Sequence, residues 1–183
     1  MSKENLSKAI KRAFINRVLC SRDTILYQEE FNDAIDKIAI WLLSGNNYKN
    51  LMLYGGVGIG KTTCLWSIAE VLATTRAFGY VHFFSANSIV NENFINGDGW
   101  RLINNSPLAL IDDVGTESSD IKIYGSLLCP MKTVLENRYL HKRPTIITSN
   151  LSLDMFGDKY GERVMDRMKE YDTIVLDINE SLR

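Results

Sequence analysis

The sequence predicts an α/β fold in which a five-stranded parallel sheet carries helices on both faces. Three observations carry that prediction. Five strand-length apolar runs alternate with helix-forming stretches, the loop after the first run is rich in glycine and ends in Lys-Thr, and the third run ends in two adjacent aspartates. The first makes the sheet parallel, because each strand must return through a crossover helix; the other two place phosphate chemistry at one edge of it.

The elements follow in order. Leu6, Ile10, Ala13, Phe14 and Val18 recur at helical spacing, as do Phe31, Ala34, Ile35, Ile38 and Leu42, so two helices precede the first strand. Ser44-Gly45-Asn46-Asn47 ends the pattern with residues that favour helix ends and turns. Residues 1–48 therefore read as an N-terminal helical arm and 49–183 as the core domain. The strands are Leu51 to Tyr54, Tyr80 to Phe84, Leu108 to Ile111, Thr145 to Thr148 and Thr173 to Leu176. Helices are expected over Lys61 to Arg76, Asn87 to Ile95, Pro130 to His141 and Gly161 to Tyr171. Pro130 suits a first helical turn, where its missing N–H costs nothing. Gly97-Asp98-Gly99 and the run from Val114 to Ser119 read as exposed loops.

Composition removes several function classes. The 183 residues are 45% hydrophobic and 23% charged, with a formal charge of -1, which suits one domain with a real core. The longest unbroken apolar run, Ile38 to Leu43, is far shorter than a membrane span. The first residues have no signal-peptide pattern, so a cytoplasmic protein with no membrane contact is expected. Cys20, Cys64 and Cys129 contain no Cys-x-x-Cys pair, and with only His82 and His141 there is no structural zinc pattern. Lys3, Lys8, Lys11, Arg12, Arg17 and Arg22 stand against Glu4 alone, leaving the rest of the chain at roughly -6. A solvated amphipathic helix accounts for that basic arm better than a nucleic-acid contact argued from charge alone.

Gly55-Gly56-Val57-Gly58-Ile59-Gly60-Lys61-Thr62 matches G-x-x-x-x-G-K-[ST] in full, with an apolar strand entering it and a helical pattern leaving it. Glycines let successive backbone N–H groups face phosphates, assisted by the positive end of the following helix. Lys61 then bridges the β- and γ-phosphates, and the Thr62 hydroxyl is a magnesium ligand. Thr63 closes the candidate binding segment and reads as helix surface.

Such a loop needs a partner acid. Leu108-Ala109-Leu110-Ile111-Asp112-Asp113 supplies two at the carboxyl end of a strand, the edge where open parallel sheets bind ligands. Asp112 is the expected magnesium partner, and Asp113 the group that orients or deprotonates an attacking water. Glu117 is a weaker alternative acid that reads as loop surface. Asn150, after Thr145 to Ser149, either bonds the γ-phosphate or the water, or caps the next helix. Arg163 and Arg167 lie one helical turn apart. They form either a solvated, ion-paired face or the source of a cation reaching a neighbouring subunit's γ-phosphate.

In this order the motifs resemble the AAA+ ATPases of the DnaC-type helicase-loader and IstB-type transposition-helper group. The resemblance rests on Asn50 to Gly55 leading into the Walker A loop, Leu110 to Gly115, Glu136-Asn137-Arg138-Tyr139, Pro144 to Leu151, and Gly161 to Met168. It implies ATP with Mg2+, ATP hydrolysis, the AAA+ strand order in a P-loop NTPase core, Asn150 as sensor 1, and Arg163 or Arg167 as arginine finger. It also implies self-assembly with ATP on single-stranded DNA, beside a replicative helicase or a transposase. Arg138 matches the group's arginine-tyrosine motif without an assigned role. Asp113 stands where many AAA+ proteins have glutamate, so slow or partner-stimulated hydrolysis is expected. The chain stops at Arg183, soon after the fifth strand, so no C-terminal lid domain is expected. Two rival readings share the phosphate loop: a small nucleotide or metabolite kinase, and a nucleotide-gated adaptor with little hydrolysis.

Overall fold

The computed structural model describes residues 2–21, 29–44, 50–75, 80–118, 120–123 and 126–176. The turn expected at 45–47, the boundary between 48 and 49, Arg22, Arg76, Ser119 and residues 177–183 lie outside them, as does the side chain of Cys20. Helices α1 (Lys3–Ser21) and α2 (Glu29–Leu43) come first, followed by β1 (Leu51–Tyr54), α3 (Lys61–Thr75) and β2 (Val81–Ser85). Three short helices follow, α4 (Ala86–Ile89), α5 (Glu92–Asn96) and α6 (Asp98–Asn105), and lead into β3 (Leu108–Val114). An antiparallel hairpin of β4 (Ile121–Ile123) and β5 (Ser126–Leu128) precedes α7 (Pro130–Leu140) and β6 (Thr145–Ser149). The described chain closes with α8 (Leu153–Tyr160), α9 (Glu162–Met168) and β7 (Asp172–Val175).

The main sheet has five strands in the order β2-β3-β6-β1-β7, and every pairing is parallel. Alternation along the strands divides the interior into two cores. Leu51, Leu53, Leu108, Leu110, Ile146 and Ile174 face one side, where α1, α2 and α3 pack. Met52, Ala109, Ile111 and Ile147 face the other, against residues of α4, α6, α7, α8 and α9. The arm is built into the first core: Ile10 and Phe14 of α1 and Ile35 and Ile38 of α2 share it with Leu65 and Ile68 of α3. Two cations of α1 are tied to its neighbours, Lys11 to Asp36 at 3.0 Å and Arg17 to Glu70 at 2.8 Å. Arg17 also lies 5.5 Å from the Trp66 ring centroid, while Lys8 and Arg12 remain exposed. No helix among the described residues is long and apolar enough to cross a membrane.

Several expectations change. The helix read at 87–95 is two helices, α4 and α5, separated at Val90-Asn91. Asp98 and Gly99, read as loop, begin α6, and Asp98 sits favourably in its first turn. Gly99 marks close packing: a Cβ there would lie 2.4 Å from the Phe94 ring. The helix α8 and the β4–β5 hairpin were not anticipated. Ser152 caps α8 by accepting from the Met155 N–H at 3.3 Å, and a Cβ at Gly157 would lie 3.0 Å from Met165 Sδ, so α8 and α9 pack closely.

Candidate nucleotide-binding site

The loop between β1 and α3 holds all of Gly55 to Gly60, with Lys61 and Thr62 opening α3 and half-buried Thr63 behind them. Gly58 (φ 83°) and Gly60 (φ 86°) take left-handed conformations that glycine adopts without strain. Gly55 is required for a second reason. A Cβ there would stand 2.2 Å from Ile59 Cδ1 and 2.5 Å from the Leu176 carbonyl oxygen. Gly56 and Val57 are exposed. The Lys61 side chain is buried, and its ammonium donates to the Gly55 carbonyl at 2.8 Å and to the Gly56 carbonyl.

The first acid stands where the loop needs it. Thr62 Oγ1 donates to Asp112 Oδ1 at 3.1 Å, and Thr148 Oγ1 donates to the same oxygen at 2.6 Å. Burial raises the Asp112 carboxyl above the ordinary carboxylate range, opposed by the Thr148 bond, with the neighbouring Asp113 charge adding to the rise and the Thr62 bond resisting it. A hydroxyl and a carboxylate this close are hard oxygen donors of the kind magnesium takes, and the glycine cradle suits a phosphate chain. The site thus fits both groups.

Asp113 is held differently. The ladder between β3 and β6 slips by one residue between Ile111 and Val114, and Asp113 sits in that bulge at φ 56°. Bulges re-aim side chains, and a left-handed non-glycine residue persists only where its surroundings fix it. Here the Thr148 hydroxyl accepts the Asp113 N–H at 2.8 Å. On the other side the Asp113 carbonyl accepts from Thr116 N–H at 3.2 Å and from Thr116 Oγ1 at 2.8 Å. Thr148 therefore touches both acids. Sequence reasoning missed it because a threonine inside a β-rich run reads as strand propensity.

Asn150 follows Ser149, which pairs with Tyr54 at the mouth of the phosphate loop. Its Oδ1 is buried without a hydrogen-bond partner. The capping alternative is removed, since α8 is capped by Ser152. Arg163 and Arg167 are not brought to the loop. Both face Glu136 Oε1 at 3.7 Å, with side-chain exposures of 67% and 12%. Arg167 also lies 4.8 Å from the Tyr139 ring centroid.

Glu117 is a correction: it is 2% exposed, not loop surface. Arg138 acquires a structural account. Its guanidinium is buried and donates to the carbonyls of Ile103, Ser106 (3.2 Å) and Pro144 (2.7 Å) and to Thr145 Oγ1 (2.8 Å), fastening α6, α7 and β6 together. Burial lowers its pKa to about 10. Two aromatics of the α5–α6 region, Phe94 and Trp100, are packed: Phe94 lies edge-on to Phe84 at 5.8 Å and Trp100 lies against the second core. Arg101 is exposed and paired with Asp98 at 3.2 Å.

Solved structures share the fold. The DnaC helicase loader superimposes with a TM-score of 0.65 at 20% identity, covering 85% of this chain and 94% of that one. DnaI gives 0.62 at 20% identity, over 84% and 88%. AMPPCP-bound DnaA from Aquifex aeolicus gives 0.63 at 21% identity over 87% of this chain, which spans 50% of DnaA's length. At these identities the likeness concerns the fold. No curated protein matched in sequence. The sequence model of the IstB-like ATP binding proteins matches residues 27–183, from just before α2 through the phosphate loop, both acids and Asn150. The chain belongs to the family of IstB-like ATP-binding proteins.

Proposed function

We propose that this protein is a Mg2+-dependent ATPase that assembles on single-stranded DNA and serves a replicative helicase or a transposase. The observation that carries the reading is the hydrogen bond from Thr62 to Asp112, with Asp113 and the unpartnered Asn150 oxygen on the same sheet edge. Membership of an ATP-binding family and the helicase-loader name of a structural relative support it.

In this reading the loop N–H groups and Lys61 bind the phosphates, Lys61 leaving the loop carbonyls to do so. Thr62 and Asp112 hold magnesium, which when bound offsets charge on the β- and γ-phosphate oxygens. Asp113 orients the water and takes its proton. Asn150 accepts from the water through its unpartnered Oδ1, or donates to the γ-phosphate through its amide N–H. Arg163, the more exposed of the pair, serves a neighbouring copy, where a cation beside the γ-phosphate stabilises transition-state charge. Neighbouring subunits therefore complete each other's sites.

The test is phosphate release with and without single-stranded DNA. The wild-type chain should be stimulated by DNA, and Lys61→Ala and Asp113→Asn should each lose turnover. Activity that survives both substitutions overturns the assignment.

A further inference from the structure

Beyond the nucleotide contacts, a buried cluster lies behind the second acid. The chain leaves β3 through Gly115 (φ 108°), which packs under Leu151; a Cβ at Gly115 would meet Leu151 Cδ1 at 2.5 Å. Glu117 then turns back, its Oε2 accepting the Gly115 N–H at 2.8 Å. Its Oε1 accepts from the Tyr160 hydroxyl, and Lys159 Nζ lies 3.7 Å from the same oxygen. Lys159 also donates to the carbonyls of Gly115 at 2.8 Å and Glu117 at 2.5 Å. The Glu117 side chain has 0% exposure and that of Lys159 18%.

A buried carboxylate is costly unless paired and hydrogen-bonded, and this one has a cation, a phenol and a backbone amide. Burial beside Glu117 pushes the Tyr160 hydroxyl far above its ordinary range, which keeps it a donor. Every group in the cluster acts on one turn. That turn contains Thr116, whose N–H and hydroxyl hold the Asp113 carbonyl, and it begins two residues after Asp113. At its other end the cluster grips Lys159 and Tyr160, the last residues of α8, and Arg163 lies three residues beyond Tyr160 on α9.

We propose that Glu117 is a positioning residue for hydrolysis: its carboxylate, through Gly115 and Thr116, holds Asp113 in its left-handed bulge and ties that acid to the helix pair bearing Arg163. The inference rests on the ATPase reading above. Glu117→Gln keeps one acceptor oxygen for the Gly115 N–H and the Tyr160 hydroxyl together, so one of those donors is left facing an NH2 group, Lys159 loses its counter-charge, and Asp113 loses its aim. The hydrogen bonds and ion pair described for the cluster run among Gly115, Glu117, Lys159 and Tyr160 rather than to Gly55–Gly60, so nucleotide binding should be spared.

The experiment measures ATP affinity, thermal unfolding and turnover per bound ATP for wild type, Glu117→Gln and Tyr160→Phe. Counting turnover per bound ATP removes any contribution from unfolded molecules. Misplacing a catalytic group by about 1 Å costs up to roughly a hundredfold, so Glu117→Gln should fall ten- to a hundredfold with affinity within about threefold. Tyr160→Phe, which keeps the ring, should show a smaller fall in the same direction. Wild-type turnover that both variants share per bound ATP overturns the role given to Glu117, as does a parallel loss of affinity and turnover. Wild-type binding without any turnover overturns the ATPase reading and the positioning role with it. The two failures are thus told apart by the wild-type measurement.

Discussion

Asp112 is buried at 7% exposure, and its carboxyl lies above the ordinary range chiefly because of that burial. A raised carboxyl pKa gives stability that is present below the unfolded value and lost as pH rises through the folded value. At neutral pH the charge therefore costs the nucleotide-free protein stability that a bound cation would return. Asp112→Asn keeps an acceptor for Thr62 and Thr148 but removes the charge. It should raise the unfolding temperature at pH 7 without nucleotide, by roughly 2–4 °C per kcal/mol recovered, and abolish Mg2+-dependent turnover. The gain should shrink as pH is lowered through the carboxylate range. A lower unfolding temperature at pH 7 would contradict the burial argument.

The two arginines on α9 differ at the same scale. Arg167 is 12% exposed and stacks on Tyr139, whereas Arg163 is 67% exposed. Arg167→Ala should lower the unfolding temperature through lost packing. Arg163→Ala should leave it unchanged and reduce turnover only under conditions where copies assemble. Equal effects of both on stability would remove the distinction.

Among the elements, the phosphate loop depends on backbone room at Gly55. Gly55→Ala forces a methyl group into Ile59 and the Leu176 carbonyl, so the loop must open. ATP affinity should fall at least tenfold in isothermal titration, and retained affinity would show that the loop relaxes without cost. The loop was legible in sequence because the phosphate chemistry fixes the residue types at Gly55, Gly60, Lys61 and Thr62 at set spacing. The five strands were legible because strands buried on both faces read as continuous apolar runs. The start of α6 was not, since Gly97-Asp98-Gly99 reads as a loop while Gly99 serves as a point of close contact with Phe94. Glu117 reads as loop surface in sequence although it is buried, because its partners Lys159 and Tyr160 are more than forty positions away in the chain. No local pattern brings them together.

Across the whole molecule, the basic arm and the acidic body that follows it form a continuous structure. Phe14 and Ile10 of α1 lie in the same core as the sheet, and Arg17 and Lys11 are paired with the helices beside them. The acids, Asn150 and the phosphate loop meet at the carboxyl edge of β1, β3 and β6, while Arg163 on α9 faces Glu136 of α7. In the proposed reading a second copy supplies the cation that completes this site for hydrolysis. Asp113 is its hydrolytic centre in this account, held on both sides of its backbone by Thr148 and Thr116. The most direct measurement is ATP affinity and single-turnover hydrolysis on the same Asp113→Asn sample, with DNA present. The account predicts affinity within about twofold of wild type and turnover reduced at least a hundredfold, the usual scale for losing a general base. Hydrolysis at the wild-type rate in that variant would contradict it.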